Sequence, residues 1–316
     1  MKDHTPVLLN EVIEELNLKA NYNVIDATLG GGGHSQKILE KISPNGKLIG
    51  IDLDNDAIKL AKKRLENFGD RVIFAKDNYQ NIKQILKIKK YELSNYPIRA
   101  ILLDLGLSLY QLQSENRGFS FLDEYGLEMK YDKSDEGPDA KYIINNYKEE
   151  QLEKIFKEFG EERLSKQITR EIINFRKTKE ITSGVELSDI ISRVYKRFYK
   201  KYSNTNPATK VFQALRIYVN HEFDNIKEFL PDAIDLLESG GRLAVISYHS
   251  LEDKIIKEFF RQESRDCLCP IEIPECRCNH KARIKIINKK VIVPSEDEIK
   301  INPASRSAKL RVIEKI

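Results

Sequence analysis

Along the first hundred residues the hydrophobic pattern alternates between two periods. Short apolar runs that end in polar residues, "YNVIDAT", "GKLIGIDLD", "DRVIFAKD" and "IRAILLDLG", read as buried strands. Helical patterns lie between them: one from about His34, one in "NDAIKLAKKRLENF" with Asn55 placed to cap it, and one after Asn78. Strands alternating with helices of this length predict a parallel, doubly wound sheet with helices on both faces.

From about Leu112 the rhythm changes. "SENRGFSFLDEYGLEMKYDKSDEGPDA" is polar and aperiodic and reads as a loop. Helical stripes follow without strands: Leu152, Ile155, Phe156 and Phe159, then Leu164, Ile168 and Ile172 after Gly160, then a helix over 185–202. Asn206 and Pro207 open the next helix, in the favoured order of cap and first turn. An α/β pattern returns with "GRLAVISYHS" and "LEDKIIKEFF", and the C-terminus supplies short β-rich pieces. The economical division is one α/β domain, 1–111 with 212–316, interrupted by an all-helical insertion, 112–211.

Composition narrows the class. The 316 residues are 41% hydrophobic and 32% charged, as in a globular chain. There is no apolar run long enough to span a bilayer, and "MKDHTPVLLNEVIEEL" lacks a signal-peptide core, so a cytoplasmic protein with no membrane partner is expected. The net charge of +4 is uninformative, but its distribution is not. Residues 193–220 carry no acid, and Lys196, Arg197, Lys200 and Lys201 alternate there with aromatic rings. Cations for phosphates and rings for bases suit a nucleic-acid strand; a helix with a basic solvated face is the plainer alternative. Leu187, Ile190, Ile191, Val194 and Phe198 form that helix's core stripe.

The chemistry begins at "VIDATLGGGGHS", four consecutive glycines behind a strand. Glycine is costly to order, so such a run marks a backbone that a ligand approaches closely. The dinucleotide pattern G-x-G-x-x-G fails, because Ser35 and Gln36 stand where its third glycine would be, and no Lys-Ser or Lys-Thr completes a P-loop. What remains is Asp26-x-Thr28-x-Gly30-x-Gly32, similar to the D/E-x-G-x-G-x-G turn of S-adenosylmethionine-dependent methyltransferases with Thr at the first glycine. Asp52, Asp77 and Asp104 end the following strands, and Tyr79 comes two residues after Asp77. Ligands of such sheets sit at the carboxyl ends of the strands, where Asp52 suits ribose hydroxyls and Tyr79 an adenine. A single acid there would be read as a helix cap; one on each of four strands beside four glycines makes a cofactor site. Cys267-x-Cys269 and Cys276-x-Cys278 depart from the C-x2-C of familiar zinc sites, so a metal-free loop of reduced thiols is expected, with zinc as the alternative.

Several stretches resemble one family along almost the whole chain: "HTPVLLNEVI", "DATLGGGGHS", "GIDLDNDAI", "LLDLGLS", "RGFSF", "EFGEERLSKQI", "NPATKVFQALRIYVNHEF", "GGRLAVISYHSLEDKIIKEFF" and "NPASRSAKLRVIE". They are similar to the bacterial 16S ribosomal RNA (cytosine-N4)-methyltransferases, the RsmH or MraW family. The resemblance implies a Rossmann-like class I methyltransferase sheet with an inserted all-helical domain. It implies S-adenosyl-L-methionine as cofactor, and as substrate N4 of cytosine 1402 in the 16S rRNA of the small ribosomal subunit. Carried over, the family's cofactor contacts fall on Gly32, Gly33, His34, Asp52, Tyr79, Asp104 and Gln111. Tyr79 stands for the family's usual Phe, "LSLYQL" for V-S-S-P-Q-L, and "LEMKYD" for L-D-M-R-M-D, with Lys130 in place of an arginine.

Asp104 is the first candidate for accepting from the cytosine amine, and His249 in "ISYHSLED" is the second, although a lone histidine is more often structural. RNA recognition is assigned to the basic insertion and to "NPASRSAKLR" with Arg306. Three rivals stay open: a nicotinamide oxidoreductase, a non-catalytic ribosome assembly factor, and an amino-methyltransferase acting on other nucleic acid. Oligomeric state, a dimer included, is not written in the sequence.

Overall fold

Alternation of side chains along each strand decides how the first domain is built. In the computed structural model, which describes residues 6–89, 92–93, 96–106, 117–132, 134–199, 206–270 and 275–316, seven strands form one sheet. They are β1 (Asn23–Asp26), β2 (Leu48–Asp52), β3 (Val72–Lys76), β4 (Ile98–Asp104), β5 (Arg242–Ser247), β6 (Ile284–Ile286) and β7 (Lys309–Lys315). Their order is β3-β2-β1-β4-β5-β7-β6. The first five are parallel, and β7 runs antiparallel between β5 and β6. This is the doubly wound sheet expected from the apolar runs, closed by a reversed strand.

Successive strand residues feed two separate cores. Ile25, Ile101, Leu103, Leu243 and Val245 pack with Ile226, Phe229 and Leu230 of the helix Glu222–Leu236. Val24, Ala100, Leu102, Ala244 and Ile246 face the other way, onto Val12, Ile38, Leu39 and Ala61. Burial on both faces explains why these strands read as continuous apolar runs rather than as alternating ones. The helix Asn55–Arg64 is capped by Asp54, whose carboxylate accepts from the Asp56 amide, so the cap lies one residue before the expected Asn55.

The chain divides into two compact units, Met1–Gly106 with Phe223–Ile316, and Leu107–Glu222. Among the described residues the second unit holds five helices: Ala140–Asn146, Glu149–Gly160, Ser165–Arg176, Gly184–Phe198 and Thr209–Val219. The expected return to the sheet domain at 212 thus comes too early. Val211, Ala214 and Leu215 bury in the helical core, and Gly160 lets the helix that begins at Thr209 come close: a Cβ on it would lie 2.5 Å from the Lys210 carbonyl oxygen. The side chain of Asn206 accepts from the Ala208 amide at 2.8 Å, in a turn just ahead of that helix. Among the described residues no helix is long and apolar enough to cross a membrane.

Candidate active site

The parallel strands all end on one edge of the sheet, and the acids named from the sequence gather there. Asp26 closes β1 and is almost fully buried. Its carboxylate accepts from Ser35 Oγ at 2.6 Å and from the Thr28 amide at 3.3 Å. Burial pushes its pKa up to about 6 against those two bonds. Asp52 closes β2 and accepts from the Gly30 amide at 2.8 Å and the Asp54 amide at 2.8 Å. It too is raised to about 6, chiefly by burial.

The glycine turn is held open by these bonds. Gly30 and Gly32 have positive φ of 50° and 78°, conformations that a side chain makes costly. Gly32 N donates to the Leu29 carbonyl, and the helix Gly33–Lys41 starts at once. A Cβ added at Gly30 or Gly31 would meet nothing within 4 Å. Open space lies beside a partly buried carboxylate that has used two of its roughly four lone-pair sites. These residues fit a nucleoside cofactor: backbone for its amino-acid moiety, Asp52 for ribose hydroxyls.

Asp104, at the end of β4, is the most constrained of the acids. Its amide donates to Thr28 Oγ1 at 2.6 Å, which fixes the strand end to the glycine turn. Its Oδ1 accepts from the Tyr248 hydroxyl at 2.9 Å, and its Oδ2 lies 3.8 Å from His34 Nδ1. Burial raises its pKa to about 7; the Tyr248 bond opposes that rise, while the charges of Asp26 and Glu252 add to it. His34 is buried, and its Nε2 lies 3.0 Å from the Val7 carbonyl. A carbonyl only accepts, so Nε2 carries the proton and Nδ1 has none in the neutral ring.

The remaining candidates are placed less centrally. Asp77 follows β3; it accepts from the Asn78 amide and the Asn81 side chain, which shapes the short turn Tyr79–Asn81. Tyr79 sets its ring edge-on to Phe229, 5.4 Å between centroids. His249 caps the helix Ser250–Glu263: its Nδ1 accepts from the Glu252 amide at 3.4 Å. Its Nε2 is 2.9 Å from Glu252 Oε1 but off the line of a hydrogen bond, so both ring nitrogens face its own helix. Gln111, Lys200 and Lys201 lie outside the described residues. Lys196 and Arg306 are exposed, whereas Arg197 forms a two-armed pair with Glu171. Tyr195 is no free ring for bases, since its hydroxyl donates to Glu162 Oε2 at 2.7 Å.

Two residues at this edge escaped the reading of the sequence. Thr28 was noted only as a departure from glycine, yet its hydroxyl anchors Asp104. Tyr248 was passed over for its neighbour His249. Its position directly after an apolar strand run was the signal available.

Ser35 occupies the place of a third dinucleotide glycine and uses its hydroxyl to hold Asp26. The turn thus lacks the third glycine of a dinucleotide site, and this sheet belongs to a Rossmann-like, S-adenosylmethionine-dependent methyltransferase. The chain belongs to the MraW methylase family, whose pattern matches residues 1–316. It is 46% identical over 313 residues to the ribosomal RNA small subunit methyltransferase H of Finegoldia magna, covering 99% of this chain and 98% of that one. The protein of the same name from Carboxydothermus hydrogenoformans is 45% identical with the same coverage. Among solved structures, a putative rRNA-methylase from Clostridium thermocellum aligns with a TM-score of 0.44 and 16% identity, over 99% of this chain and all of that one.

Proposed function

We propose that this enzyme methylates N4 of cytosine 1402 in the 16S rRNA of the small ribosomal subunit, in the cytoplasm, with Asp104 taking the proton from the amine. Relatives named for small-subunit rRNA over nearly their full length support the substrate class. The observation that carries the chemistry is Asp104, its amide held by Thr28 and its carboxyl by Tyr248, with that carboxyl raised to about 7 at the open glycine turn.

Bound S-adenosylmethionine supplies an electrophilic methyl group on a sulfonium centre. Everything else falls to the chain. Asp52 holds ribose hydroxyls, Tyr79 borders the adenine, and Gly30 to Gly33 admit the amino-acid moiety. The exocyclic nitrogen of cytosine is a weak nucleophile because its lone pair is delocalised into the ring. Ionised Asp104 accepts one N–H, draws the nitrogen toward a pyramidal shape, and takes the proton as the N–C bond forms. A carboxyl that titrates near neutrality can both take and release that proton at working pH. Tyr248 positions it, and His34, held by the Val7 carbonyl, borders the cofactor beside it. His249 serves in this scheme by fixing the turn that carries Tyr248 rather than by moving a proton. Lys196, Lys200, Lys201 and Arg306 contact rRNA phosphates, and Gln111 contacts the cofactor.

The test is transfer from labelled S-adenosylmethionine to small subunits that lack the modification, followed by nucleoside mass spectrometry. N4-methylcytidine at the one position supports the proposal; a methyl group on another base or position contradicts it. Tight cofactor binding with no transfer to any subunit or precursor favours the assembly-factor reading.

A further inference from the structure

Between the helix Ser250–Glu263 and β6 the chain makes an excursion in which no hydrophobic packing holds the described residues. From Ser264 to Arg283 none of the described residues is buried, and the side chain of Leu268 is exposed. Yet the four cysteines of this segment converge. The Sγ atoms of Cys267, Cys269, Cys276 and Cys278 all lie within 4.8 Å of one another. Cys278 Sγ is 3.8 Å from that of Cys267 and 3.7 Å from that of Cys276.

Those separations have a specific meaning. Four thiolates bound to zinc at about 2.3 Å occupy a tetrahedron whose edge is about 3.8 Å. A disulfide would need sulfurs at about 2.05 Å, and none of the four is bridged. The backbone is also turned toward the sulfurs. The Leu268 amide donates to Cys278 Sγ at 3.3 Å, the Cys269 amide to Cys267 Sγ at 3.4 Å, and the Arg277 amide to Cys269 Sγ at 3.3 Å. Donors aimed at sulfur stabilise thiolate charge, as the outer shell of a metal site does. His280 stands apart, its Nε2 3.2 Å from the Gln262 carbonyl, so the thiols alone make up the ligand set.

The geometry points to a structural tetrathiolate zinc site formed by Cys267, Cys269, Cys276 and Cys278, pinning the turn between the helix Ser250–Glu263 and β6. The C-x-C spacing argued against zinc only on the assumption of a C-x2-C knuckle. In extended backbone, residues two apart point to the same side, so each C-x-C pair offers both sulfurs to one ion. With four protein ligands the site has no open position for water or substrate, which makes it a staple rather than a catalytic centre. Exposed Arg265, Arg277 and Lys281 in the same segment offset the net negative charge of the cluster.

The test uses the full-length protein, purified under reducing conditions. About one zinc per chain, with a sulfur-only shell at about 2.3 Å by X-ray absorption, is the expected result. Chelator-stripped protein should take up one equivalent of zinc in competition with a chromophoric chelator. Stripping should speed tryptic cleavage at Arg265, Arg277 and Lys281 by ~10-fold or more, reversed by zinc, because the opened segment lacks other packing. The Cys267→Ser, Cys278→Ser double variant should lose the zinc while still binding S-adenosylmethionine. Stripped, cofactor-binding protein that takes up no zinc would overturn the inference, as would a shell containing nitrogen or oxygen, or two disulfides in the reduced preparation.

Discussion

Tyr248 donates its hydroxyl hydrogen to Asp104 Oδ1 at 2.9 Å, and that bond joins the ends of β5 and β4 at the crevice. The phenol is itself pushed well above its usual pKa by burial and by the Asp104 charge, so it stays a donor throughout the physiological range. A bond donated to a carboxylate favours the ionised form. Tyr248→Phe therefore raises the Asp104 pKa above its present value of about 7. In single-turnover methyl transfer, the acid limb of the pH profile should move to higher pH, with the rate recovering at alkaline pH. An unmoved limb with a uniformly lower rate would mean that Tyr248 acts only on structure.

Cofactor affinity should depend on pH through Asp52. Ribose hydroxyls donate to the ionised carboxylate, and Asp52 in the free protein titrates at about 6. Binding measured by calorimetry is expected to tighten as pH rises through that value and then to level off. Asp52→Asn should weaken binding by about 2 kcal/mol, the usual loss for a hydrogen bond to a charged group, and flatten the profile.

Stability of the cofactor-free protein carries the opposite sign. Asp26 is raised from 3.8 to about 6 by burial, so the folded state holds its proton longer than the unfolded chain. Its contribution is fully present below 3.8 and is lost as pH rises through about 6. Asp26→Asn should remove up to one proton's worth of this negative slope in denaturant unfolding across that window. A slope identical to that of the parent would show that Asp26 titrates normally.

Gly31→Ala separates folding from binding. Gly31 lacks a positive φ, and its added Cβ meets no protein atom within 4 Å. The stability change should stay within about 0.5 kcal/mol, as at an unremarkable surface position. Cofactor affinity should nevertheless fall by ~10-fold or more if the cofactor's amino-acid moiety occupies that space as proposed. Gly32→Ala should instead cost stability, about 1–2 kcal/mol, through its left-handed backbone and the side chains of Ala61 and Leu65 at 3.3 Å.

On the helical unit, Lys196→Ala should lower affinity for the small subunit and reduce its salt dependence by about one charge. Arg197→Ala should do less, because that guanidinium is already paired with Glu171. Cofactor binding should be unchanged in both. Filter binding across a salt series distinguishes them, and equal losses would argue that the Glu171 pair opens on RNA.

The sequence made the strands, the glycine turn and the four terminal acids legible because each depends on local pattern: apolar runs, a left-handed turn, a polar strand end. What depends on distant pairing was not legible. The insertion of β7 between β5 and β6 is set by antiparallel pairing from Arg242↔Glu314 to Ser247↔Lys309, which no periodicity announces. The helix Thr209–Val219 reads equally well in either unit until its apolar face meets the helix Glu149–Gly160. Tyr248 and Thr28 gained meaning only when β4 brought Asp104 between them. The convergence of the four cysteine sulfurs was hidden for the same reason, since spacing along the chain says little about which sulfurs face one another across a turn.

The central claim is that Asp104 accepts the proton of the cytosine amine, and Asp104→Asn tests it most directly. The amide keeps the shape of the carboxyl and can still accept the Tyr248 hydrogen, but it cannot take a proton. At saturating cofactor, since Asp104 is also placed among the cofactor contacts, single-turnover transfer to unmodified small subunits should fall at least ~100-fold, the usual contribution of a positioned general base, with the pH limb near 7 abolished. Full turnover by this variant, with the limb still in place, would contradict the account.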